Sequence, residues 1–288
     1  MIQQQKLQIR DALLRYVSSF NSQALAAKSL EGISTSTITK IKNYNWDALN
    51  DSVWQALAKQ VGFYCGDWHA ADTSAYMLLR ILFADAKHYA MIYGMAIGAG
   101  LGKTFSAKMY CRENANTYYM ACTETHNRNS FITELLKNFT NDTKEKVPAM
   151  MQQLFDALSG QDEPLLIVDD AHKLKDRALH FLISLTDCLK GKCGIIIMGN
   201  EELRTRILDG LKQDKQAYDT IYKMIGGRFI SLTQMAPNDV ELICQANNVK
   251  DEHRIAYIKE QCKNNLHPIA PLVQEIRMQN DMEELMAA

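Results

Sequence analysis

The chain of 288 residues is 47% hydrophobic and 23% charged. That is enough apolar content to bury a sizeable core in one large domain or two to three small ones, and it excludes a disordered tail or a miniature scaffold. With 32 Lys and Arg against 33 Asp and Glu the formal charge is −1, so no global basic field draws the chain to nucleic acid or anionic lipid, and a DNA contact has to be a local patch.

The seven cysteines, Cys65, Cys111, Cys122, Cys188, Cys193, Cys244 and Cys262, are odd in number and have no CxxC spacing. That pattern fits reduced thiols in a cytoplasmic protein, with no disulfide framework and no zinc. Met1 to Arg15 is polar and amphipathic, unlike a secretory signal. The longest weakly polar run, Ala90 to Leu101, contains three Gly and falls far short of the roughly 20 residues that span a bilayer. The expectation is a soluble, cytoplasmic protein without a membrane partner.

Residues 1–66 read as short helices: Leu7, Ile9, Leu13, Leu14 and Val17 at helical spacing, then Ala24 to Leu30, Ser34 to Asn43 and Ser52 to Val61. From Tyr89 the pattern changes to short apolar runs, Tyr89 to Ile97, Thr117 to Ala121, Leu165 to Val168 and Gly194 to Met198, with helical stretches between them. Strands alternating with helices imply crossover units and a parallel sheet. Asn141 to Lys146 reads as a solvated loop. After Pro237, the segments Val240 to Ala246, His253 to Cys262 and Pro271 to Met278 return to helices. The predicted organisation is an all-α domain over 1–66, an α/β core over 67–235 and a small helical lid over 236–288. Trp46, Trp54 and Trp68 are expected to pack in the first domain and at its exit.

The strongest chemical signal is Gly98-Ala99-Gly100-Leu101-Gly102-Lys103-Thr104, after an apolar strand and before a helix. Such a turn aims backbone N–H groups at phosphate oxygens, Lys103 reaches the terminal phosphates, and the Thr104 hydroxyl ligates Mg²⁺. The strict phosphate-loop pattern has Gly where this chain has Ile97, one place before Gly98. A second apolar strand ends in Asp169-Asp170. On a strand neighbouring the first, Asp169 would hold the Mg²⁺ shell and Asp170 would polarise the attacking water, with slow hydrolysis expected because Asp is shorter than Glu. A third strand ends at Asn200, placed to sense the γ-phosphate or the lytic water. Gly226-Gly227-Arg228 opens a short strand, a position that suits an arginine finger offered to a neighbouring subunit's nucleotide; the alternative is a surface Arg beside a structural turn.

These elements, in this order and followed by a helical stretch, resemble the AAA+ ATPases over roughly residues 75–288. Within 1–66, the segment Ala27 to Asn43 resembles a helix-turn-helix of the Cro/repressor kind, with Gly32 at the turn, Ser34 capping the second helix, and Ile38 and Ile41 facing its core. The combination looks like the phage Mu-type transposition ATPases, the MuB family, with the IstB and TnsC proteins as relatives. That resemblance implies an ATP- and Mg²⁺-dependent protein that self-associates on target duplex DNA, recruits and activates a transposase, and disassembles on hydrolysis. Thr35, Ser36, Thr37 and Lys40 would reach a groove, and Arg128, in the turn after the second strand, would meet a phosphate backbone.

The first 66 residues carry Lys6, Arg10, Arg15, Lys28, Lys40, Lys42 and Lys59 against Asp11, Glu31, Asp47 and Asp51. This mild basic excess is compatible with backbone contact. The lid stretch Leu266-His267-Pro268-Ile269 has no Arg where the resemblance implies a second nucleotide sensor, leaving His267 or Arg277 as substitutes. Two rival readings are a helicase loader, which would prefer single strands, and a nucleotide-gated interaction protein that uses its N-terminal helices to dock protein.

Overall fold

The computed structural model describes residues 3–18, 20, 22–46, 49–61, 68–140 and 146–287. The chain divides into two units: one of Met1–Ala70, Cys244–Arg254 and Pro271–Ala288, the other of Ala71–Ile243 and Ile255–Ala270.

The first unit opens with four helices, α1 (Gln3–Ser18), α2 (Gln23–Lys28), α3 (Thr35–Lys42) and α4 (Asp51–Gln60). Two of them start at serine caps: the Ser22 hydroxyl accepts from the Leu25 N–H, and the Ser34 hydroxyl from the Thr37 N–H, which satisfies donors a helix start otherwise leaves open. The chain turns between α2 and α3 at Gly32, whose φ is 72°. Helical spacing then gathers Ile9, Leu13, Leu30, Ile33, Ile38, Ile41, Trp54 and Leu57 into one core. Trp46 stands edge-on to Trp54 at 5.3 Å and donates its indole N–H to the Ile41 carbonyl; Trp68 is half-buried. In the same unit the Asn247 carboxamide brackets His69, accepting from its N–H and donating to its carbonyl.

The second unit runs α5 (Ser74–Tyr89), β1 (Ile92–Ile97), α6 (Lys103–Glu113), β2 (Thr117–Ala121), α7 (Arg128–Leu136), α8 (Val147–Ser159), β3 (Leu165–Asp169), a 3-10 turn (Ala171–Lys173), α9 (Asp176–Leu189), β4 (Gly194–Gly199), α10 (Glu201–Lys212), α11 (Gln216–Met224) and β5 (Phe229–Leu232). The five strands form one sheet in the order β2-β3-β4-β1-β5, every pair parallel. Both faces are covered. Leu166, Val168, Ile195 and Ile197 point to one apolar cluster, and Leu165, Ile167, Ile196 and Met198 to the other, the two-residue alternation of strands buried on both sides. The structure thus has the α/β architecture with a parallel sheet that the sequence implies, preceded by helices. Three further helices follow, α12 (Asp239–Ala246), α13 (Glu252–Cys262) and α14 (Ile269–Ala287).

Two expectations are corrected. The first strand does not begin at Tyr89: Tyr89 ends α5, and Ala90 turns the chain with φ 48° while its N–H still bonds the Ala86 carbonyl. The apolar side chains of Tyr89 and Met91 mimic a strand, yet both are exposed. Nor does Asp169 sit on a strand neighbouring β1, because β4 lies between β1 and β3. Crossover connections free parallel strands from chain order. Residues 141–145 of the expected polar loop, and Cys65, lie outside the described residues; the other six cysteines are free thiols. Among the described residues no helix is long and apolar enough to cross a membrane.

Candidate nucleotide site

The glycine-rich loop leaves the carboxyl end of β1, between β4 and the edge strand β5. Ile97, which occupies the place of the usual first glycine, completes β1 and is buried. Gly98 then donates its N–H to the Leu232 carbonyl of β5 at 2.8 Å. Ala99 is exposed, whereas Leu101 is only 1% exposed and anchors the loop in the core. Gly100 and Gly102 take φ of 74° and 78°, a left-handed conformation that glycine adopts without steric cost and that turns successive N–H groups toward a common concavity. Gly102 is also the N-cap of α6, so the positive end of that helix faces the loop.

Lys103 and Thr104 open α6 and meet the two carboxylates that end β3. The Thr104 hydroxyl donates to Asp169 Oδ2 at 2.6 Å, and Lys103 Nζ lies 3.8 Å from Asp170 Oδ1. Asp169 is wholly buried. Its charge is met by Thr104, by the Tyr119 hydroxyl at 3.1 Å and by the Asp170 N–H at 2.8 Å. Burial, and then the Asp169 charge, push the Tyr119 hydroxyl far above the usual phenol range, so it stays a donor.

Asp170 sits at φ 55°. Burial alone would raise its carboxyl, but a 2.7 Å hydrogen bond from Lys173 and the charge of Lys103 outweigh that and hold it below the ordinary carboxylate range. His172, two residues on, is lowered chiefly by burial, which keeps the ring neutral at pH 7; among the described residues its Nδ1 is buried with no hydrogen-bond partner.

Asn200 follows β4 at the same edge of the sheet. Its side-chain oxygen accepts the Glu202 N–H at 3.1 Å and caps α10, which leaves the carboxamide nitrogen as the group to donate toward a ligand. Arg228 is elsewhere. It is exposed and precedes β5 at the level of Tyr93, given the pairing of Gly94 with Phe229. At about 3.3 Å per residue this is roughly 16 Å along the sheet from Gly98. The structure therefore brings together Gly98 to Thr104, Asp169, Asp170 and Asn200, and leaves Arg228 at the opposite end.

The residues tied to DNA fall in two places. Thr35, Ser36 and Lys40 are exposed on α3, but Ser36 and Thr37 both share hydrogen bonds with the Ser34 hydroxyl and so help build the cap. Of the basic residues nearby, Lys6 pairs with Asp51 at 3.4 Å and Arg10 lies over the Tyr44 ring, while Lys28, Lys40 and Lys42 are exposed. Arg128, in the other unit, starts α7 and stacks over Phe181 at 5.4 Å. It lines a cavity of about 270 Å³ with Met151, Arg177, His180, Phe181 and Ser184.

The sequence reading missed Tyr119, Lys173 and His172. Lys173 lies three residues beyond Asp170 in a turn that the acid pair could have signalled. Tyr119 carries no local signal, because its partner is 50 positions away.

Residues 92–207 match the family model described as AAA domain. Among solved structures, Cdc6p from Pyrobaculum aerophilum is similar at 16% identity and a TM-score of 0.41, over 67% of this chain; the match spans 62% of that protein's chain. No curated protein matches. The family match is laid over this loop, the Lys103–Thr104 helix start and the buried acid that ends β3, so residues 92–207 are similar to an AAA domain in both sequence and the placing of these groups.

Proposed function

We propose that the protein is an ATP-dependent DNA-binding regulator of transposition, which assembles on target duplex DNA, recruits and activates a transposase, and lets go after hydrolysis. The observation that carries the nucleotide part is the 2.6 Å bond between the Thr104 hydroxyl and Asp169, beside a phosphate loop at the start of α6. Two hard oxygen donors there, one of them on a buried carboxylate, fit Mg²⁺. When bound, the ion would be held by Thr104 and Asp169 and would neutralise charge on the phosphates.

The chain's own residues divide the remaining work. The N–H groups around Gly100 to Gly102 and the α6 N-terminus bind phosphate oxygens. Lys103 exchanges its contact with Asp170 for the terminal phosphates. Asp170, kept ionised by Lys173, accepts a hydrogen bond from the attacking water, and its depressed basicity makes it an orienting group and a slow base. Asn200 donates from its carboxamide nitrogen to the γ-phosphate or the water. Arg228, too distant to serve its own loop, reaches a neighbour's nucleotide in an assembled ring or filament.

For DNA, the support is α3, with Thr35, Ser36 and Lys40 exposed and Lys28 and Lys42 nearby in sequence to meet phosphates. A second cationic surface comes from Arg128 together with Arg177. The transposase is the partner implied by the MuB-type resemblance. The test is ATP turnover at fixed protein concentration, alone and with saturating duplex or single-stranded DNA, with assembly followed in the same samples by sedimentation. Duplex-dependent assembly in ATP with modest turnover supports the proposal. A response confined to single strands moves the reading to a helicase loader, and no response to either moves it to a nucleotide-gated interaction protein.

A further inference from the structure

The segment between α13 and α14 lies against the phosphate loop. Leu266 donates its backbone N–H to the Gly100 carbonyl at 2.7 Å. Asn265 packs on Gly100 so closely that a Cβ added there would stand 1.9 Å from the Asn265 side-chain oxygen and 3.2 Å from its Cα. The segment is itself held at several points. The Asn265 N–H bonds the Cys262 carbonyl at 2.8 Å, and its side-chain oxygen accepts the His267 N–H at 2.9 Å. The Asn264 carboxamide donates to the Thr233 carbonyl and accepts the Met235 N–H, at 3.1 and 2.9 Å. The phosphate loop is thus fixed on both flanks, by β5 at Gly98 and by this segment at Gly100.

A trans peptide is planar, with its C=O and N–H pointing in opposite directions. Tying the Gly100 carbonyl to Leu266 therefore turns the N–H of the same peptide unit, that of Leu101, to the other side of the loop. The buried Leu101 side chain prevents that unit from flipping without loss of core packing.

We infer that Asn265 and the Leu266 N–H form a latch that sets the peptide orientation of the phosphate loop and so positions its amides for the nucleotide. This role rests on the nucleotide-binding reading above. Asn265 and Leu266 are positioning residues: they act through the Gly100–Leu101 peptide. The latch also explains why residue 100 is glycine twice over, by its left-handed φ and by the Asn265 contact.

The test is a double-mutant cycle on Mg·ATP and Mg·ADP affinity with Gly100→Ala, Asn265→Ala and the pair, each checked by circular dichroism to be folded at the assay temperature. Asn265→Ala is expected to weaken nucleotide binding three- to tenfold. Gly100→Ala should weaken it by a hundredfold or more. The double variant should regain about tenfold relative to Gly100→Ala, because the clash is gone while the left-handed φ remains unfavourable for alanine. Amide exchange of Leu266 in the nucleotide-free full chain gives a second reading and should be slow.

Additive single effects, or exchange of the Leu266 amide at the rate of an unstructured peptide, overturn the latch. If the unsubstituted chain binds neither nucleotide, the nucleotide reading fails, and coupling between positions 100 and 265 then remains measurable in thermal melting. Binding by the unsubstituted chain without coupling removes the latch alone.

Discussion

Among the described residues Lys103 pairs with Asp170, and that carboxylate is shared with Lys173. A triphosphate offers Lys103 a stronger partner than a 3.8 Å ion pair. Lys103→Ala is accordingly expected to abolish ATP binding and ATP-dependent assembly on DNA while the fold survives, because no core contact is lost; fluorescent-nucleotide titration and sedimentation check both. Asp170→Asn keeps the size of the side chain and removes the charge that orients water. Binding should persist and turnover fall by about 10²-fold or more, in the range of a lost general base; equal turnover in the two proteins would take Asp170 out of the reaction.

A third carboxylate tests electrostatics away from the site. Asp176 accepts hydrogen bonds from the Tyr218 hydroxyl and from Arg206, and together they lower its pKa. A depressed folded-state pKa means stability that is fully present above the unfolded value, 3.8, and lost as pH falls through the folded value. The stability gap between the native chain and Asp176→Asn should therefore be constant from pH 7 to about 5 and shrink toward pH 2 in denaturant melts.

At the scale of elements, the first three helices show what local chemistry can specify. Ser34, Gly32 and the Ile38/Ile41 pair are visible in sequence because caps, turns and core faces follow short-range rules, and each occupies the corresponding place in the structure. Ser34→Ala removes the acceptor of the Thr37 N–H and should cost about 1 kcal/mol, and Ile41→Ala about 2–5 kcal/mol, read from chemical denaturation. Within the α/β unit, all four strands read from apolar runs exist, yet the order β2-β3-β4-β1-β5 was not legible. Position in a sheet depends on crossovers and on long-range packing, which no local pattern encodes. The same holds for Tyr119 on Asp169 and for Asn265 on Gly100, contacts made only after the sheet and helices have assembled. Tyr89 misled for the opposite reason: its local apolar character suggested a strand where the helix had yet to end.

If α3 meets a phosphate backbone, its cations set the salt dependence. Lys40→Ala and Lys42→Ala should each lower the slope of log K against log salt by about 0.9, with little change in the melting temperature, since both side chains are exposed.

At the scale of the whole molecule, the placement of Arg228 separates a lone ATPase from an assembling one. The nucleotide loop, Asp169, Asp170 and Asn200 gather at the carboxyl edge of the sheet, where parallel α/β folds hold ligands. Arg228 enters β5 at the other edge, exposed and preceded by two glycines in left-handed turns. Along a rigid strand roughly 16 Å separates it from Gly98, more than an arginine side chain spans, so a catalytic role for it requires a second copy of the chain.

Two consequences follow from that requirement. Specific activity should rise with protein concentration and with saturating duplex DNA, both of which bring copies together. Arg228→Ala should leave the activity of the dilute monomer and its ATP affinity unchanged, and abolish most of the increase on assembly, by 10³-fold or more where the guanidinium stabilises the transferring phosphoryl group. Mixing Arg228→Ala with Asp170→Asn, which keeps nucleotide binding, sharpens the distinction. One chain supplies an intact Asp170 and the other an intact arginine, so mixed assemblies should recover part of the stimulated turnover that neither has alone. An Arg228→Ala chain that loses activity equally in dilute solution, or a mixture that recovers none, would place the arginine's role within its own subunit's fold.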